Sequence, residues 1–216
     1  MIAFFPPAEG ETAPAVEAAE SSPTRLLTRE EQDLLLQLAR RTLSQVVSHR
    51  PLPEIPRDLP AGSVLRETRG VFVTLNTWPG GDLRGCIGNI FGEDPLVEGV
   101  IQNTLASASR DPRFEPVSDA EAAHLRIEIS VLTPLHPVAG PEEIVAGRDG
   151  VLLEKGGRRA VFLPQVATEQ GWGVPKLLRH LALKAGLRAD DWKAGASFSV
   201  FQAQVFEEER PPGGGR

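Results

Sequence analysis

Val71-Phe72-Val73-Thr74-Leu75-Asn76, the turn Trp78-Pro79-Gly80-Gly81-Asp82, and then Leu83-Arg84-Gly85-Cys86-Ile87-Gly88 form the stretch from which the fold is read. Val71, Val73 and Leu75 alternate with Phe72, Thr74 and Asn76, the period of a strand with one buried face. Pro, Gly and Asp supply the turn. Leu83 to Ile87 then returns as a second strand, so an antiparallel hairpin is expected.

The same alternation recurs over Leu125–Leu132, with Leu125, Ile127, Ile129 and Val131 on one face and Arg126, Glu128 and Ser130 on the other. Residues Val151–Leu163 read as a hairpin turning at Gly156-Gly157, and Ser197–Phe206 as a single last strand. Helical spacing appears between these runs. Thr28 and Glu31 form a capping-box pattern that opens a helix to about Ser48. Asp94-Pro95 starts another, with Pro95 expected at the first helical position, running to about Ser109. Ser118 and Glu121 cap a short turn. Val174, Leu177, Leu178 and Leu181 mark a last helix that stops near Gly186. Pro51, Pro53, Pro56 and Pro60 impose an extended arm. Hairpin-linked strands with helices between them give an α+β fold: antiparallel or mixed sheets covered by helices.

The 216 residues carry a formal net charge of −6 and no basic block, which counts against a nucleic-acid binder. No apolar run approaches the ~20 residues of a membrane span, and Met1-Ile2-Ala3-Phe4-Phe5 is too short for a signal-peptide core. A cytoplasmic protein is therefore expected. Cys86 is the only cysteine, so an internal disulfide, a multi-thiolate zinc site and an iron–sulfur cluster are excluded. No metal or nucleotide motif is present, and no cofactor is expected. Residues 1–24 and 209–216, rich in Ala, Glu, Pro, Gly and Ser, read as disordered tails flanking a folded domain over 25–208.

Chemistry concentrates in the hexapeptide from Leu83 to Gly88. In an extended chain Arg84 and Cys86 point the same way, and a guanidinium beside a thiol favours the thiolate. Gly85 and Gly88 leave room for a ligand or another backbone. Catalytic candidates are thus Cys86 and Arg84, with Gly85, Gly88, Asp111, Arg113 and Glu128 as substrate-binding candidates. Glu128 is expected to hold Arg84 if its strand face turns toward that residue. The competing reading makes Cys86 a small buried hydrophobe and the glycines packing positions. His49, His124, His136 and His180 are scattered, and no spacing marks one as the base a thiol nucleophile needs.

The hexapeptide resembles the signature of the AMMECR-type domain family, whose bacterial and archaeal members are called AmmeMemoRadiSam system protein A. Asp111-Pro112-Arg113-Phe114, Glu128-Ile129-Ser130-Val131-Leu132, Gly150 to Arg159, Leu163-Pro164-Gln165-Val166, Trp172 and Lys184-Ala185-Gly186-Leu187 match in order across about residues 26–208. Many relatives carry a second Cys where this chain has Ala182, which speaks against a redox pair there. The resemblance implies a larger and a smaller lobe with the signature near the cleft between them. It also implies a Memo-like protein and a radical SAM protein as partners, the latter supplying the radical chemistry. It names no reaction. A non-catalytic partner or scaffold in a modification system comes first. The alternative is a cleft enzyme with Cys86 as nucleophile and Arg84 binding an anionic group of a small-molecule or protein substrate.

Overall fold

The computed structural model describes residues 25–59 and 62–213. The expected N-terminal tail, 1–24, lies outside them. The described residues form α1 (Arg29–Val47), β1 (Val71–Thr77), β2 (Leu83–Asn89), α2 (Leu96–Ser109), α3 (Asp119–Ala122), β3 (Leu125–Leu132), β4 (His136–Val138), β5 (Gly150–Lys155), β6 (Arg158–Phe162), α4 (Pro164–Gln170), α5 (Val174–Lys184), β7 (Ser197–Phe201) and β8 (Ala203–Glu207). This is an α+β fold with two four-stranded sheets, ordered β2-β1-β3-β8 and β4-β7-β5-β6. The pairs β1–β2, β1–β3, β4–β7, β5–β6 and β5–β7 are antiparallel. No helix among the described residues is long and apolar enough to cross a membrane.

The chain divides into two compact units, one reaching to Val131 and resuming at Gln204, the other running from Leu132 to Ala203. In the first, Leu35 and Leu43 of α1 and Val97 and Val100 of α2 pack on Val73 and Ile129. The capping box forms as expected: Thr28 Oγ1 accepts from the Glu31 N–H, and the Glu31 carboxylate accepts from the Thr28 N–H. Arg40 on α1 binds Glu208 and the carbonyls of Ala122 and Leu125, tying the helix to the end of β8. In the second unit, Leu177, Leu178, Leu181 and Ala182 of α5 pack against Val151, Leu153 and Phe198.

Four features differ from the pattern reading. Pro95 is the N-cap of α2 rather than its first helical residue. Its φ of −50° suits a helix, but its ψ of 142° leaves it extended. The last strand is two strands, β7 pairing with β4 and β5, and β8 joining the other sheet. The break is at Gln202, whose N–H donates to Thr133 Oγ1 and whose carbonyl accepts from the Thr133 N–H. Two sheets sharing one continuous alternating run cannot be told apart by periodicity, since both obey it. Helix α4 has no counterpart in the pattern, because Pro164-Gln165-Val166-Ala167 carries no apolar stripe. Residues 209–213, expected in a tail, have a buried Pro211 and a Gly213 N–H that donates to the Ala123 carbonyl at 2.7 Å.

Candidate functional site

The hexapeptide lies on β2, an edge strand of the first sheet. An edge strand turns a row of backbone N–H and C=O groups away from the sheet. At Cys86 both outward groups are taken by side chains. Its N–H donates to Asp111 Oδ2 at 2.9 Å, and its carbonyl accepts from Arg113 Nη2 at 3.2 Å. Arg113 in turn holds the same carboxylate, Nη2 to Oδ2 at 2.6 Å and Nε to Oδ1 at 2.9 Å. Asp111 and Arg113 thus satisfy β2 as a further strand would. Pro112 between them fixes the loop that presents both.

On the inner side, Ser107 of α2 reaches into the hairpin. Its hydroxyl accepts from the Ile87 N–H at 2.8 Å and donates to the Val73 carbonyl at 2.7 Å, across a register that pairs Val73 with Ile87. This close approach explains Gly85, where a Cβ would fall on the Ser107 carbonyl oxygen. Gly88 has a different cause. It faces Phe72 across the hairpin, and the Phe72 ring fills the space a Cβ would need.

Arg84 is the extra residue of a β-bulge, since Leu75 pairs with Gly85 and Asn76 with Leu83. Its Nε donates to Glu121 Oε1 at 2.9 Å and its Nη2 to Oε2 at 3.3 Å. The partner expected for it, Glu128, is not the one it takes. Glu121 does double duty, because its Oε2 also accepts from the Ser118 N–H at 2.8 Å and completes the α3 capping box. Phe114 lies under both Arg84 and Arg113, with the guanidinium carbons 5.8 and 5.4 Å from its ring centre. The guanidinium bonds of Arg84 drop Glu121 from 4.5 to about 2. Burial alone would raise Asp111, but its bonds to Arg113 and to the Cys86 and Arg113 amides bring it below the ordinary aspartate range.

Cys86 is 2% exposed, and its Sγ accepts from Thr74 Oγ1 at 3.2 Å. Burial pushes the thiol up. The Thr74 hydrogen bond and the Arg113 charge pull it down, while Asp111 and Glu128 push it up again, and the balance lies above the ordinary thiol range. The thiol is therefore neutral near pH 7, and the cation within reach of it is Arg113 instead of Arg84. Thr74 pairs with Cys86 on one side and Glu128 on the other, so the three stand in a row across β2, β1 and β3. Glu128 is half-buried, and burial, then the charge of Glu207, raise its carboxyl. Among the described residues, no group of three or more His, Cys, Asp or Glu could hold a metal ion.

The sequence reading missed Thr74, Ser107 and Glu121 as site residues. Only Glu121 carried a signal, its capping box with Ser118. Its second partner is 37 positions away and invisible to local pattern.

The family model AMMECR1 matches residues 36–206. The chain belongs to the AMMECR1 family. Similar relatives include protein MK0488 of Methanopyrus kandleri, 41% identical over 87% of this chain and 93% of that protein. Protein MJ0810 of Methanocaldococcus jannaschii is 40% identical over 88% and 96%. Among solved structures, the crystal structure of uncharacterized protein PH0010 from Pyrococcus horikoshii matches with a TM-score of 0.73. That protein is 40% identical, with 87% of this chain and 96% of that one covered.

For this AMMECR1 chain, Gly85→Ala is expected to lose about 1–3 kcal/mol of stability in urea unfolding, because the neighbouring backbone cannot yield. Acid should act through the carboxylates. A folded-state value below the unfolded one gives stability that is full above the unfolded value and is lost as pH falls. For Glu121 that window runs from pH 4.5 down to about 2. Being partly exposed, it contributes about 1 kcal/mol at most. Asp111→Asn should cost about 3 kcal/mol at pH 7, and both Asp111→Asn and Glu121→Gln should flatten the acid limb of thermal stability measured against pH.

Proposed function

We propose that this chain is a non-catalytic partner or scaffold, working in the cytoplasm with a Memo-like protein and a radical SAM protein in a modification system. The observation that carries the reading is the state of its chemically suggestive groups. The Cys86 thiol is buried and held neutral, and Arg84 and Arg113 are each committed to a carboxylate. A nucleophile needs a thiolate and a path to it, and these residues provide the opposite conditions. Their arrangement suits the holding of a rigid surface. Any radical step would belong to the partner, since this chain has one cysteine and a SAM cluster needs three.

A second reading has one observation behind it. Glu128, raised and half-buried, stands in the same row as Thr74 and Cys86. An enzyme built there would use Cys86 as nucleophile and Arg84 to bind an anionic group, with Gly85, Gly88, Asp111, Arg113 and Glu128 around the substrate.

Thiol labelling separates the two. The scaffold reading expects Cys86 in the native chain to react with iodoacetamide at least a hundredfold more slowly than in the denatured chain at pH 7.5. It also expects Cys86→Ser to fold and to co-purify with the Memo-like and radical SAM proteins as the wild type does. Native labelling as fast as that of a free thiol would favour the enzyme. Failure to recover either partner after cross-linking would remove the scaffold reading's main support.

A further inference from the structure

A groove of about 670 Å³ opens on the first unit, and Cys86 is not among the residues that line it. Val46 and Val47 at the end of α1, Leu52 of the proline arm, Leu105 of α2 and Val117 supply aliphatic walls. Val46, Val47, Leu52 and Leu105 are only partly buried, although the first three pack on the core. The size lies within the range of small-molecule sites.

Two elements bring charge to the lining. His49 and Arg50, just after α1, are both exposed, and neither side chain has a hydrogen-bond or carboxylate partner among the described residues. His49 follows the α1 C-cap with a φ of 52°, the sole described non-glycine residue with a positive φ. A helix usually gives that position to glycine. Here the left-handed residue is a histidine that lines the groove with its neighbour Arg50. Ser118 and Asp119, at the start of α3, also line it. Ser118 is already engaged with Glu121, and Asp119 would repel an anion. A ligand that matches this surface has an aliphatic body and one negative end, directed at Arg50 and His49.

We propose that this groove binds small aliphatic carboxylates of medium chain length, with the hydrocarbon along Val46, Val47, Leu105 and Val117 and the carboxylate on Arg50 and His49. The proposal is independent of the role of Cys86. It has a structural consequence. The groove wall at Pro116 and Ser118 belongs to the segment that grips Arg84 through the Pro116 carbonyl and Glu121, so occupancy should be felt there.

The test is calorimetric titration of the full chain with octanoate, below its micelle-forming concentration, beside octylamine and acetate. Saturable binding of one octanoate per chain is expected, at least tenfold tighter than octylamine or acetate. Arg50→Glu, an exposed change that leaves the core intact, should weaken it tenfold or more. Leu105→Trp should block the groove; should it fail to melt like the wild type, Val47→Trp replaces it. Hydrogen exchange should slow in residues 116–121 when octanoate is bound. No saturable binding at millimolar octanoate, equal binding of octylamine, or unchanged affinity in Arg50→Glu would each overturn the proposal.

Discussion

Strand β2 ends its sheet, and what holds its outward edge is a pair of side chains. Asp111 and Arg113 take the Cys86 N–H and C=O, and they take each other. An unpaired edge strand costs either hydration or the risk of pairing with another chain. A carboxylate and a guanidinium, fixed by the proline between them, remove both at one residue. The arrangement also orders the loop after α2, because the groups that satisfy the strand are the groups that anchor the loop.

The other residues of the hexapeptide follow from what surrounds that edge. α2 sits so close that its Ser107 hydroxyl bridges the hairpin and its Ser107 carbonyl excludes a Cβ at Gly85. Phe72 covers Gly88 in the first sheet, and Phe201 covers Gly150 in the second, where the two residues likewise face each other across a strand pair. A large flat ring opposite a glycine fills the gap that the glycine leaves. Arg84 swings out of register at the bulge to meet Glu121 and Phe114. Packing and hydrogen bonding thus give these positions of the small, polar segment a partner, and Cys86 lies beside Thr74.

Much of this was legible in the sequence, because periodicity and capping are local. The alternation over Val71–Asn76 and Leu125–Leu132, the Gly156-Gly157 turn and the Thr28–Glu31 box all became the elements they predicted. The pairing of Arg84 with Glu121, the Ser107 bridge and the grip of Asp111 on Cys86 were not legible, since each joins residues 20 or more positions apart. The bulge at Arg84, which sets the register of the pairing, is not announced by anything in the hexapeptide either. The final strand reads as one element because alternation tells which side chains face a core, but not which core.

Amide hydrogen exchange at Cys86 tests the central claim most directly. That N–H points off the edge of the sheet, so protection has to come from Asp111. In the wild type it should exchange as slowly as the amides of the central strand β1. In Asp111→Ala its protection should fall at least a hundredfold while the β1 amides change only with overall stability. Fast exchange in the wild type, or protection that survives the loss of Asp111, would contradict the account.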